Sequence, residues 1–394
     1  IRQNEMYRGC KYAEQIKQAL AKRDVKVRIL NKYRKEPLAE NWWPLRVYCE
    51  KCGYESTMVT GWDGEYTVTY SCECGHQASL DFRKKGNSKL PWRVDWPMRW
   101  DYEKVDFEPA GKEHSTPGGS RTVGVEIQRA VYGTEPPVYQ MYDYIILGVG
   151  GKMSSSAGIV VTIKDTVDIY LPEIVRFLFT STKPIKEFAI MFDEAVFKVY
   201  EDFYTVERAY YGKEKAEGKK LAQMKRIYEL SAVDKPAKDM PIQPNFKHCV
   251  ELINIYGDVG KALDAVKAKE KVSGNGLERY RAILERAKNW VERHATDRYR
   301  FKVQDKVPDS VKTQLSGAQK KALEALLKDL ESKDWKEEDL FNRFYKIAEG
   351  AGISGKEFFQ AVYLALISKT AGPRLAPFIL AIGQRRVAKI LKSI

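Results

Sequence analysis

The chain holds 394 residues, 44% of them hydrophobic and 30% charged, enough for two or three domains of about 150 residues with substantial cores. That balance excludes a wholly disordered chain, and the longest apolar runs, Ile145 to Val149 and Ala376 to Ile382, fall far short of the roughly 20 residues a membrane-spanning helix needs. Lys and Arg number 67 against 53 Asp and Glu, and the resulting charge of +14 favours a polyanionic partner such as nucleic acid over a basic small molecule.

Apolar spacing predicts a helix from Tyr12 to Ala21, and the β-branched alternation Val25 to Leu30 predicts a short strand, so residues 1–40 read as the end of an α/β unit. That unit is cut open at Ile1, and about half of its sheet is expected to lie outside this sequence. Residues 41–89 change character, becoming rich in Cys, Gly and alternating Thr, Val and Tyr. Tyr54 to Thr60 and Glu65 to Ser71 flank Gly61-Trp62-Asp63-Gly64 as the strands of a hairpin flank its turn. Around it stand Cys49-x2-Cys52 and Cys72-x-Cys74, whose four thiolates can surround one tetrahedral zinc ion in a closed, structural shell. The second pair is tighter than the usual spacing, which leaves His76 open as a replacement for one cysteine. Such clustering, with Cys10 and Cys249 elsewhere, reads as a metal site in the reducing cytoplasm rather than a disulfide framework.

Residues 90–165 return to α/β character. Val105 to Ala110 is a predicted strand, Gly118-Gly119 opens a helix to about Ala130, and Tyr144 to Gly148 is a second, buried strand. The loop Gly150-Gly151-Lys152-Met153-Ser154-Ser155-Ser156-Ala157-Gly158 follows it. Small residues let a backbone close on a phosphate chain, hydroxyls and amides donate to it, and Lys152 supplies a mobile positive charge. Upstream, Trp92-Arg93-Val94-Asp95-Trp96-Pro97-Met98-Arg99-Trp100 runs toward Asp106-Phe107-Glu108 and Gly111-Lys112-Glu113-His114. Tryptophans beside carboxylates and a histidine offer an apolar wall for a methylene chain and an anionic end for an ammonium group; core packing is the alternative for each ring. Tyr142, with Tyr139 and Met141, faces either this pocket or the core.

From Thr166 the period is helical, punctuated by Pro172, Pro184, Pro236, Pro241 and Pro244, with no strand predicted. Gly274-Asn275-Gly276 reads as a linker between residues 166–275 and 276–394. The last part carries four predicted amphipathic helices, Lys320 to Leu330, Glu337 to Glu349, Lys356 to Ile367 and Leu375 to Leu391. Phe341, Phe344, Tyr345, Phe358 and Phe359 are core by spacing. Arg374, Arg385 and Arg386 lead a scatter of basic residues suited to an RNA backbone and to stacking on unpaired bases.

The loop Lys152-Met153-Ser154-Ser155-Ser156 resembles the Lys-Met-Ser-Lys-Ser signature of class I aminoacyl-tRNA synthetases, with serine in the fourth place. The tryptophan-rich stretch running to Gly111-Lys112-Glu113-His114 resembles class I lysyl-tRNA synthetases of archaeal type, and the likeness covers nearly the whole chain. Ala371-Gly372-Pro373-Arg374-Leu375 and Gly383-Gln384-Arg385-Arg386-Val387 resemble the helical anticodon-binding domain of bacterial-type glutamyl-tRNA synthetases. The resemblance implies a Rossmann-type class I catalytic domain, partial here, with a zinc-bearing insertion, followed by all-α domains for the acceptor stem (166–275) and the anticodon (276–394).

It further implies that lysine is activated with ATP and Mg2+ and esterified to tRNA(Lys). Lys152, Ser154 and Ser155 would act in catalysis, and Gly148, Lys152, Met153 and Ser154 would bind ATP. Trp92, Trp96, Glu113, His114 and Tyr142 would bind the amino acid, and Arg374, Arg385 and Arg386 the tRNA. One departure is plain: His76, His114, His248 and His294 lie in no His-x-Gly-His context, so residues 1–394 alone are expected to bind ATP poorly. The competing readings are a catalytically incomplete tRNA-binding fragment and a glutamyl-type synthetase.

Overall fold

The computed structural model describes residues 1–148, 151–152, 160–270 and 272–394, which fall into two compact units. The first comprises Ile1–Tyr144 and Pro184–Glu187, the second Ile145–Lys183 and Phe188–Ile394.

The first unit opens with three helices, α1 (Gln3–Arg8), α2 (Ala13–Ala21) and α3 (Arg23–Asn31). The third replaces the predicted strand at Val25 to Leu30. Val25, Val27 and Ile29 alternate as strand residues do, but the positions actually buried are Lys26, Ile29 and Leu30, a helical spacing.

Then come the short paired strands β1 (Arg46–Val47) and β5 (Ser88–Lys89), enclosing an antiparallel sheet of β2 (Thr57–Trp62), β3 (Thr67–Cys72) and β4 (Gln77–Asp81). The predicted hairpin is present, one strand short of the full sheet and with Trp62 inside β2 rather than in the turn. Register shifts between Val59 and Gly61, where a Cβ on Gly61 would meet Thr69 Oγ1 at 2.8 Å.

After it come α4 (Trp92–Glu103), the parallel pair β6 (Phe107–Gly111) and β7 (Val138–Tyr142), and between these α5 (Ser120–Ile127), continued by a wider helical turn to Tyr132. Met98 and Val94 of α4, Val123 and Ile127 of α5, Ile16 and Leu20 of α2 and Val68 and Leu80 of the sheet share one core.

Lys26 is the anomaly of that core, fully buried with its Nζ donating to the Ala19 carbonyl at 2.8 Å, at the end of α2. Burial first, and then the charge of Lys22, lowers its pKa to about 7. An unfolded lysine keeps its proton to above pH 10, so between these limits the unfolded chain binds the extra proton and stability rises with pH. Urea unfolding of the wild type is therefore expected to gain about 2 kcal/mol between pH 7 and 9 relative to Lys26→Met, at about 1.4 kcal/mol per pKa unit. Parallel pH profiles for the two proteins would refute this.

The second unit begins with a three-stranded sheet ordered β10-β8-β9, in which β8 (Ile145–Leu147) lies parallel to β10 (Phe188–Ile190) and antiparallel to β9 (Gly151–Lys152). Two expectations change here. Strand β8 is half-buried rather than buried, and β10 is a strand in a region read as wholly helical.

Helices α6 (Ile163–Val167), α7 (Pro172–Thr180), α8 (Ala195–Tyr210), α9 (Gly218–Ser231), α10 (Phe246–Tyr256), α11 (Val259–Glu270) and α12 (Asn275–Arg293) follow. The predicted linker at 274–276 is instead the start of α12, which buries Tyr280, Ile283, Leu284 and Trp290 among residues of α7, α8, α10 and α11. Arg279 of α12 also reaches the fully buried Glu207 of α8 at 3.0 Å.

A further core, made of Ile255 from α10 and residues from Val303 to Leu391, binds α13 (Asp309–Gln314), α14 (Gly317–Ser332), α15 (Glu337–Gly350), α16 (Gly355–Ile367), α17 (Leu375–Ile382) and α18 (Gln384–Leu391). The last two were expected as one helix. Gly383, at φ 100°, breaks the run because only glycine takes that backbone without strain. Capping boxes at Ser316 with Gln319 and Ser354 with Glu357 fix the starts of α14 and α16. Among the described residues no helix is long and apolar enough to cross a membrane.

Candidate functional site

In the first unit, Trp92, Trp96 and Trp100 recur every four residues along α4 and therefore stand on one face, their rings 5.1 and 5.4 Å apart. The ladder runs from buried to open: Trp96 and Trp100 are inside, and Trp92 is 49% exposed. Both inner indoles donate to the same oxygen of Glu108 on β6, Trp96 at 2.8 Å. The Trp96 ring meets His114 edge-on at 5.5 Å, and His114 is also 6.4 Å from Trp92.

Glu113 stands beside His114, its carboxylate 3.9 Å from Nε2. Gly111 lets the Glu113 carboxylate fold back over the backbone, since a Cβ there would lie 2.8 Å from it and would turn it outward. Tyr142, half exposed, is paired in register with Gly111, and Tyr139 with Glu108. Of the five amino-acid-site candidates, Trp92, Trp96, Glu113 and His114 thus surround one surface, and Tyr142 borders it.

One member was missed from the sequence and another was given a different role. Arg121, from α5, lies 3.8 Å over the Tyr139 ring and 5.7 Å over Trp100, and burial lowers its pKa. Glu108 was read as free negative charge, whereas it is the anchor of the indoles; its neighbour Asp106 is exposed. Behind Trp92, Asp95 binds Arg99 at 2.9 Å and accepts from Tyr7, and burial raises its pKa against the pull of both partners. A cavity of about 1270 Å3 opens there, with Trp92, Tyr48, Lys89 and Arg99 in its wall.

The cysteines form a second centre. Gly53 and Gly75, both at positive φ, turn the chain just after Cys52 and Cys74, bringing the two pairs together. All four sulfurs lie within 4.8 Å of one another, Cys49 to Cys74 at 3.8 Å and Cys52 to Cys72 at 3.7 Å. Thiolates about 2.3 Å from a tetrahedral ion stand about 3.8 Å apart, so the set fits zinc with four sulfur ligands. His76 is outside this set, its ring 6.2 Å from Tyr70.

In the second unit, Gly148 leaves β8 at φ 58° and donates its N–H to the Ile190 carbonyl at 3.1 Å. Lys152 pairs along the backbone with Ile146. Met153, Ser154 and Ser155 lie outside the described residues. Thr162 and Asp165 cap α6, and α12 holds the following segment through Asn289 to the Asp168 carbonyl, Arg293 to the Asp168 carboxylate and Arg286 to the Tyr170 carbonyl.

The three arginines assigned to tRNA part company. Arg374 is exposed and pairs with Glu337 at 3.1 Å, Arg385 is exposed, and Arg386 is turned inward to the Ile255 carbonyl at 3.3 Å.

The family model described as tRNA synthetases class I (K) matches residues 1–234, and that described as anticodon binding domain matches 261–394. Proteins named lysine–tRNA ligase from Borrelia garinii subsp. bavariensis and Borreliella burgdorferi are 42% and 43% identical over 100% and 99% of this chain. One of the same name from Pyrococcus horikoshii is 36% identical over 99%. The chain spans 75%, 74% and 75% of these relatives, respectively. The chain belongs to the class I tRNA synthetases of this type, a catalytic part followed by a helical anticodon-binding domain.

Proposed function

We propose that this protein is a lysine–tRNA ligase, which activates L-lysine with ATP and transfers it to tRNA(Lys). The observation that carries this is the tryptophan ladder ending on an open indole beside Glu113 and His114, in a chain whose relatives bear that name along its whole length. An indole face attracts an ammonium and packs on methylenes, and a carboxylate completes a site for a cationic side chain. The glutamyl alternative would need positive charge at that end. Two arginines stand against the ladder: Arg99, 5.3 Å over Trp92, is neutralised by Asp95 at 2.9 Å, and Arg121, 5.7 Å over Trp100, has a place over Tyr139 that suits it to the α-carboxylate that both amino acids share.

In the reaction, a carboxylate oxygen of lysine forms a bond to the α-phosphorus of ATP while the bond from that phosphorus to the bridging oxygen breaks and pyrophosphate leaves with the electron pair. No general base is needed, because the nucleophile is already an anion. Lys152, with Ser154 and Ser155, carries the charge moving onto pyrophosphate, and Gly148 and Met153 complete the ATP site. Mg2+ accompanies ATP as its counter-ion.

In this reading the catalytic part is Rossmann-type, with residues 1–40 ending its first half and 90–165 forming its second. Residues 41–89 form a zinc-bearing insertion, in which zinc on Cys49, Cys52, Cys72 and Cys74 would hold the two turns as a structural cross-link. Helices of 166–275 face the acceptor stem, and Arg374 and Arg385 face the anticodon. The enzyme works in the cytoplasm, where thiols stay reduced.

Lysine is expected to quench the indole fluorescence of the protein, glutamate to leave it unchanged, and Trp92→Ala to weaken lysine binding by about tenfold, the scale of one good cation–π contact. Saturable quenching by glutamate, or an unaffected Trp92→Ala protein, contradicts the site.

A further inference from the structure

Resting on the assignment of Trp92, Glu113 and His114 to the side chain of lysine, we propose that Asp95 makes that surface selective for a cation, acting through Arg99. Asp95 is a positioning residue that touches no substrate; it cancels a charge that would otherwise repel one.

The placement comes from the helix. Trp92, Asp95, Trp96 and Arg99 follow one another at intervals of three, one and three residues on α4, so their side chains rise on one side of it. Trp96 stacks on Trp92 at 5.1 Å with the ring planes 24° apart, and the Arg99 guanidinium comes to 5.3 Å from the centre of the same Trp92 ring, within cation–π range. Trp92 is the open end of the ladder, the indole offered to an ammonium group. A guanidinium does not lose its proton, so a permanent positive charge bears on the surface that has to attract another. A like charge at about 4 to 6 Å disfavours the charged form of a group by about tenfold or more.

Asp95 supplies the balance. It is 8% exposed, and its two oxygens are divided between two partners: one accepts from the Tyr7 hydroxyl, and the other lies 2.9 Å from Nε of Arg99. Tyr7 is fixed in turn, its hydroxyl accepting from the Leu90 N–H at 3.2 Å and its ring meeting Tyr12 edge-on at 5.0 Å. The carboxylate is therefore held toward Arg99. Nε of Arg99 makes no aligned hydrogen bond despite that distance, so charge is what joins the two. Burial leaves the pair little screened by water or salt, and loss of either partner leaves the other charge uncompensated.

The neighbouring cation is matched elsewhere: Lys89, in the wall of the same cavity, pairs with Glu55 at 3.1 Å. With Asp95 and Arg99 cancelled, Glu113 leaves the surface one negative charge in excess, and a cationic side chain is preferred. Without Asp95 the excess is gone, and an uncharged chain of the same length is held as well as lysine.

The test compares lysine with norleucine, which is lysine with a hydrogen in place of the side-chain ammonium. Dissociation constants for both are measured by equilibrium dialysis on the full-length enzyme, as wild type, Asp95→Asn, Arg99→Met and the double variant, with thermal melts to check folding. The wild type is expected to prefer lysine by about tenfold or more. Asp95→Asn, which keeps a group for Tyr7, loses about tenfold for lysine and little for norleucine, and the double variant regains the preference because no charge is left to balance. Arg99→Met alone keeps the preference for lysine. If Asp95→Asn weakens both ligands equally, or the double variant recovers nothing, Asp95 only supports the fold and the inference fails while the lysine site stands. If the wild type itself shows no preference for lysine over norleucine, the assignment of this surface to the lysine side chain falls, and the inference with it.

Discussion

Lys152→Ala is expected to slow formation of lysyl-adenylate by about a hundredfold or more while leaving lysine affinity unchanged. The magnitude is that of removing one group aimed at charge that develops in the transition state. Lysine binding is assigned to Trp92, Trp96, Glu113 and His114, none of which shares a strand or loop with Lys152. The defect should therefore fall on the chemical step and not on recognition of the amino acid. Ser154→Ala and Ser155→Ala, each removing a neutral donor, should cost less. Rapid-quench measurement of adenylate decides the matter: an unchanged rate, or a loss confined to lysine affinity, removes Lys152 from this role.

Chelation of the cysteine site is expected to have the second large effect. Structural zinc contributes on the order of 10 kcal/mol to the folding of small modules that have little core of their own, a value that falls where a sheet already holds the ligands in place. Here β2, β3 and β4 bury Val59, Val68, Tyr70 and Leu80, so the sheet itself should survive. The turns at Cys49–Cys52 and Cys72–Cys74 should open, with Tyr48 and Lys89 of the neighbouring cavity displaced. Elemental analysis should find about one zinc per chain, lost in Cys52→Ala and Cys74→Ala. Cys10→Ser and Cys249→Ser should retain the metal, although Cys249 is fully buried and its replacement disturbs packing. Protein purified without chelator that contains no zinc, or whose melting is indifferent to chelation, contradicts this.

Much of the second unit was legible because long amphipathic helices announce themselves by period alone, as α14, α15 and α16 do. The failures are local conflicts between two periods or lengths. Val25, Val27 and Ile29 carry a strand's alternation on a helix, because the period that matters is completed by Lys26, a residue no hydrophobic pattern would choose for a core. Strand β10 has three residues, too few for a signal, and it is defined by its pairing with β8. Gly274-Asn275-Gly276 has a linker's composition, yet α12 starts within it because the apolar face from Tyr280 to Trp290 binds the helix to the bundle before it.

The candidate site divides in the same way. Cysteine spacing is a one-dimensional fact and was read as a cluster, whereas the tryptophans were read only as neighbours of carboxylates and a histidine, and their recurrence every four residues along α4 was not used. That Glu108 accepts from two indoles depends on how β6 meets α4, and that Arg121 lies over Tyr139 depends on how α5 meets β7. No spacing encodes either. Burial was likewise invisible for Phe341 and Phe344, three residues apart on one helix, one open and the other closed.

Lysine is the amino acid that this site is built to activate, and lysine-dependent exchange of pyrophosphate into ATP tests that most directly. With the full-length enzyme, exchange is predicted with lysine, none above background with glutamate, and a fall of about a hundredfold in the lysine-dependent rate on Lys152→Ala. Exchange supported by glutamate and not by lysine would contradict the account at its centre.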